Sequence, residues 1–189
     1  HDFAGHTPDS EGLETGSQYV ILVGAASTHT FLKPVFTELA MPQNFAPMLA
    51  KRMNLRQAIF AEEARVNGPA SDGRLPGSTP SPAIQFGTYR VRSFAEELSL
   101  NMWYAHERFP LMSRMPGSVL TRKFVSMLGW AKHGVLYEFD SLESRTLHFE
   151  EPHESRIVDP KAWVGKVVRS TLHTPGSPVV GERIWPPVI

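Results

Sequence analysis

Residues 135–173 read VLYEFDSLESRTLHFEEPHESRIVDPKAWVGKVVRSTLH. Three strand-like runs follow one another here across short polar connections. VLYEF (135–139) and TLHFE (146–150) predict a hairpin across DSLESR, and AWVGKVVRSTLH (162–173) predicts a longer strand with a bulge at Gly165. Strands that succeed one another without an intervening helix pair antiparallel. The stretch therefore predicts an α+β chain: three main helices and a mainly antiparallel C-terminal sheet, with extended N- and C-terminal arms.

Moving toward the N-terminus, residues 118–132 predict a helix with Ser118 as cap and a buried stripe of Leu120, Phe124, Met127, Leu128 and Ala131. Residues 93–109 predict a second, opened by a capping box of Ser93 and Glu96 and stopped by Pro110. Its stripe is Phe94, Leu98, Met102, Ala105 and Phe109. Leu100, Trp103 and Tyr104 occupy the other side, the mark of a helix between layers or at an interface. Residues 84–92 predict a strand, and 67–83 a Pro/Gly/Ser linker. Residues 45–66 predict a helix ended by Asn67-Gly68-Pro69. Arg52, Arg56 and Glu63 share its apolar arc with Met48, Ile59 and Phe60, so Arg56 is expected to be at least half buried and paired with a carboxylate outside its helix. YVILV (19–23) predicts a short buried strand.

The chain thus divides into an acidic arm at 1–18, one α+β domain at 19–173, and a Pro-rich tail at 174–189 that carries Val179, Val180, Ile184, Trp185 and Ile189. Nineteen basic residues balance nineteen acidic ones among 189. That balance speaks against nucleic acid as partner, because nucleic-acid modules are basic. Cysteine is absent, which excludes disulfide scaffolds, thiolate metal sites and cysteine nucleophiles. No run of 18 apolar residues exists to span a membrane.

Candidate chemistry is sparse. On a strand, His148 and Glu150 would point the same way and could share iron or zinc with His173 or His153. Glu151 and Glu154 add carboxylates nearby, but Pro152 prevents an HExxH helix. VILVGAAS has the strand-then-glycine order of a dinucleotide-binding turn without its glycine fingerprint. No G-x-S-x-G or S-x-x-K nucleophile motif occurs. The span 108–133 holds five basic residues and no acid, which suits a charge-complementary protein partner.

These observations favour a non-catalytic accessory subunit of a larger assembly. It would dock on other protein subunits through its arms and through Arg52, Arg56, Glu63, Trp103, Ile184 and Trp185, with no cofactor. Two alternatives stand beside it. One is a small metal-dependent enzyme using His148, Glu150 and His173. The other is a small-ligand binding module with its pocket between the C-terminal sheet and helix 93–109, and with Arg52, Arg56 and Glu63 supplying the polar contacts. The first residue is His1 rather than Met, which fits a processed product, and the assembly reading makes a mitochondrial location the expectation.

Overall fold

A computed structural model describes residues 19–32, 56–75, 77–159 and 161–186. Its centre is strand β4 (His133–Phe139), in which all seven residues are buried. A strand buried on both faces shows no polar alternation, and HGVLYEF has little. On one side β4 pairs antiparallel with β3 (Ser118–Leu128), which in turn pairs with β1 (Ile59–Asn67). On its other side β4 pairs with β2 (Ala83–Arg90) in unbroken register, from Ala83 opposite Phe139 to Tyr89 opposite His133. The far edge of β2 is completed by β5 (Leu172–His173) and β6 (Val179–Glu182). All six strands run antiparallel to their neighbours.

Three helical stretches complete the α+β architecture. Helix α1 covers 94–112, α2 covers 142–157, and α3 is Trp163–Ser170. Together they pack on one face of the sheet. Leu100, Trp103, Tyr104 and Met112 of α1, Phe149 of α2, and Val164 and Val167 of α3 share one core with Ala83, Tyr89, Val135, Tyr137 and Phe139 of the sheet. The opposite face carries Phe60, Phe86 and Phe124, with Phe60 6.1 and 6.3 Å from the other two rings. It also carries Glu138, fully buried and held by Arg74, Arg122 and the Ser81 amide.

The α+β class and the antiparallel sheet agree with the sequence, but several segments exchange helix for strand. The predicted helix at 45–66 is β1 from Ile59 onward; residues 45–55, Arg52 among them, lie outside the described residues. AEEAR has helix-forming composition, yet pairing with β3 along its length, across a bulge at Glu63, overrides a propensity worth tenths of a kcal/mol per residue. The stop signal is real for a different reason. A Cβ at Gly68 would sit 2.1 Å from the Ser118 carbonyl oxygen, so only glycine lets β1 leave across β3. The predicted helix at 118–132 is β3, buried on both faces over its first half. That burial erases the period-two signal and leaves a run that also fits a helical wheel.

Conversely, 146–150 lies within α2, which Ser141 caps by accepting the Ser144 amide at 3.0 Å. Most of 162–173 is α3. Gly165 there is no bulge: a Cβ would meet the Ile157 carbonyl oxygen at 2.7 Å, so the glycine lets α3 pack tightly on the end of α2. Residues 19–23 form no strand, and Tyr19, Ile21, Leu22 and Val23 are exposed. Helix α1 buries the side holding Leu100, Trp103 and Tyr104 and leaves Phe94, Leu98 and Met102 outward. It also runs past Pro110 instead of stopping there.

Candidate anion-binding cleft

Helices α1 and α2 break their regular ladder at the same sequence feature. Each contains a π turn, Tyr104–Arg108 in α1 and Arg145–Glu150 in α2. In the first the Phe109 amide bonds back to Tyr104, and in the second the Glu151 amide bonds back to Thr146. Pro110 and Pro152 each follow the turn after one intervening residue. A proline ring clashes with the carbonyl four residues back and offers no N–H. A turn widened to i→i+5 bonding accommodates both defects, and such turns recur at functional sites. The widening also brings residues five apart onto one side: Arg145 with Glu150, and Trp103 with Arg108.

Those two pairs differ in chemistry. Arg145 and Glu150 form a bidentate ion pair at 2.7 and 3.3 Å, and Arg145 Nε donates to Gln85 Oε1 at 2.9 Å. Arg108 is buried as deeply, at 3% exposure against 4%. Its guanidinium lies 4.6 Å from the Trp103 ring, 5.0 Å from Phe149 and 5.6 Å from Tyr137. Its Nη2 donates to His153 Nδ1 at 2.9 Å, which places the histidine proton on Nε2. Its Nε is buried with no acceptor. No carboxylate among the described residues is within ion-pair reach of it, whereas Lys123 has Glu63 at 2.5 Å and Arg145 has Glu150.

Arg108 lines a cleft of about 70 Å³ between α1 and α2. Trp103, Leu111, Phe149 and Val164 give it an apolar lining, and Glu107, His148, His153 and Arg156 supply its other ionisable groups. Glu107 Oε2 accepts from Trp103 Nε1 at 3.2 Å and from Arg156 Nη2 at 3.4 Å. A space of about two water volumes suits an anionic head group rather than a whole ligand. A guanidinium whose Nε lacks an acceptor keeps a charged donor for a carboxylate, beside the Nη2 that His153 occupies.

Beneath the cleft runs a seam of hydroxyls. Tyr89 donates to Tyr104 at 2.8 Å, and Tyr104 meets Tyr137 at 3.3 Å. Burial, then the neighbouring Tyr137 phenol, pushes Tyr89 and Tyr104 well above the ordinary phenol range, so both stay neutral. Lys123, held by Glu63 and by Asn101 at 2.8 Å, sits 5.6 Å from the Tyr104 ring. His133 lies near the other end, and burial followed by the Lys123 charge pulls it below its usual value.

The sequence-derived site residues are not brought together. His148 and Glu150 sit two apart on a helix rather than a strand, so they point away from each other. His148 lines the cleft, Glu150 is bound to Arg145, and His173 stands on β5 against the Tyr89 ring at 5.7 Å. Among the described residues no three His, Asp or Glu side chains are disposed to hold a metal. Arg56 is exposed and donates to the Pro175 carbonyl, not to a carboxylate. Glu63 belongs to β1, at the bulge opposite Lys123. Trp103, expected to face a partner, is buried under its own domain because it stacks on Arg108. Ile184 and Trp185 are 74% and 82% exposed beyond β6.

Arg108 and Glu107 are the residues that sequence reasoning missed. A signal existed: Leu100, Tyr104 and Arg108 recur at intervals of four, which sets a base on the apolar side of α1. No family model matches the chain, and neither a curated protein nor a solved structure is similar to it.

Proposed function

We propose that this protein is a binding module for a small organic acid, whose carboxylate sits on Arg108 in the cleft between α1 and α2. The observation that carries the reading is a buried guanidinium with no carboxylate partner among the described residues. A lone buried charge costs several kcal/mol even after local relaxation, and arginine does not shed its proton to escape that cost. The aromatic cage recovers part of it, at about 0.5–2 kcal/mol per ring contact. A ligand carboxylate would supply the rest, with its apolar body running out along Trp103 and Leu111. This is the ligand-module alternative with a different polar set: Arg108 replaces the residues of 45–66.

Calorimetric titration with benzoate tests it. A ligand of that size is expected to bind with a Kd near the millimolar range. Arg108→Met should weaken it at least tenfold, while Arg56→Met leaves it unchanged. Failure of the protein to bind benzoate, or binding indifferent to Arg108→Met, overturns the reading.

A second reading, an accessory subunit docking on other protein chains, is supported by the exposure of Ile184 and Trp185 at the end of a strand-anchored tail. Loss of a stoichiometric partner on Trp185→Ser is its test. The absence of any stoichiometric partner in the native complex counts against it.

A further inference from the structure

We infer that Glu107 is the specificity-determining residue of this cleft: it confines the site to singly charged organic acids and turns away dianions such as phosphate monoesters. The inference rests on the anion-binding reading above. Glu107 and Arg156 are partners across the cleft wall at 3.4 Å, so their charges cancel there. His153 accepts the Arg108 hydrogen bond through Nδ1, so in this arrangement it carries one proton and no charge. Among the described residues lining the cleft, the permanent charge that remains is that of Arg108. One charge in a cleft lined largely by apolar side chains complements one negative charge. A second negative charge would sit unpaired beside Glu107.

Glu107 also has a geometric task. The oxygen that meets Arg156 accepts the Trp103 indole N–H, and Trp103 is the ring nearest the Arg108 guanidinium, at 4.6 Å. The carboxylate therefore orients the cage as well as setting the charge. Glu107→Gln separates the two roles, because the amide oxygen still accepts from the indole while the negative charge is gone. Arg156 is then released and the cleft carries two positive charges.

The test titrates benzoate and phenyl phosphate into the full chain at about pH 8. There the phosphate, with its second pKa near 6, is a dianion, and ordinary imidazoles are neutral. The wild-type protein should prefer benzoate. Removing one negative charge at this range strengthens binding by about fivefold per ligand charge, so Glu107→Gln should tighten benzoate about fivefold and phenyl phosphate about twenty-fivefold. The double variant Glu107→Gln with Arg156→Gln restores the single charge and should return the ratio of the two affinities to that of wild type. A ratio unmoved by Glu107→Gln, with benzoate binding intact and dependent on Arg108, overturns this inference alone. A wild-type protein that binds neither probe overturns the anion-binding reading and this inference with it. A ratio that shifts in Glu107→Gln but stays shifted in the double variant shows that the net charge of the cleft does not set the preference, and overturns the charge argument.

Discussion

Arg145 and Arg108 sit at equivalent devices and meet opposite fates. Each lies in a π turn that precedes a proline, each is buried, and each has its i+5 or i−5 neighbour beside it. For Arg145 that neighbour is Glu150, and with Gln85 it leaves no guanidinium nitrogen idle. For Arg108 it is Trp103, whose ring offers a quadrupole but accepts no hydrogen bond along Nε. The same backbone accident thus builds a closed structural pair in one helix and an open charge in the other. A fold that needs only rigidity closes its buried charges. Arg108 is the contrast among the described residues, a buried guanidinium with no carboxylate on it, and the proposed carboxylate site rests on that contrast.

The comparison breaks most readily at Arg145. Arg145→Met strands the Glu150 carboxylate in the core and should cost about 3–5 kcal/mol in urea denaturation. Replacing both partners, Arg145→Met with Glu150→Leu, should recover most of that loss, since a buried pair exchanged for apolar side chains is often neutral. Arg108→Met strands no carboxylate among the described residues. It loses cation–π contacts and gains relief from desolvation, so its cost in the absence of ligand should stay below about 1.5 kcal/mol. Equal losses for the two single variants would mean that Arg108 has a structural anion partner of its own and the cleft is no binding site.

The sequence showed the class of fold but not the identity of half its elements, for a physical reason. Where period and burial agree the element was legible, as β2 was from IQFGTYR; in α1 the helix was legible but its stripe was not, since Phe94, Leu98 and Met102 face outward and Leu100, Trp103 and Tyr104 are buried. Where both faces are covered, as in the first half of β3, alternation vanishes and a helical wheel fits as well. Residues 146–150 failed the other way. TLHFE alternates like a strand, but Ser141 caps a helix there, and that cap lay inside what was read as a hairpin loop. The candidate site was less legible still. Its charge pattern depends on two π turns, and the 100° wheel places Trp103 and Arg108 about 140° apart. Only the i→i+5 widening sets the guanidinium over the indole.

His133 supplies a sharper control, because histidine can discard a buried charge and arginine cannot. Its pKa is lowered by burial and then by Lys123, against the opposing pull of Glu97 and Glu63. A group whose folded value lies below the unfolded one binds more protons when unfolded, so stability rises with pH across that window. The protein should therefore lose stability as the pH falls below about 6.5, the unfolded value, until the folded value is passed. His133→Phe keeps a ring beside Tyr89, which lies 5.8 Å away, and should flatten that slope in denaturation curves taken from neutral to acid. A slope of the same size in the variant would move the acid sensitivity to other groups.

Arg56 sets the lower bound of the series. From its sequence neighbours it belonged with the buried arginines, on the apolar arc of a helix and in need of a carboxylate. In the fold it precedes β1, is exposed, and donates to the Pro175 carbonyl near the start of the tail. An exposed arginine on a backbone carbonyl has lost little hydration and strands nothing when removed. Arg56→Met should therefore change the denaturation midpoint by no more than about 0.5 kcal/mol in stability. Because the contact joins the approach to β1 with the segment before β6, amide exchange in Val179–Glu182 should quicken slightly in the variant while β3 and β4 stay as protected as before. A loss approaching that of Arg145→Met would show that Arg56 carries a buried charge partner after all, and burial would no longer separate the structural arginines from the open one.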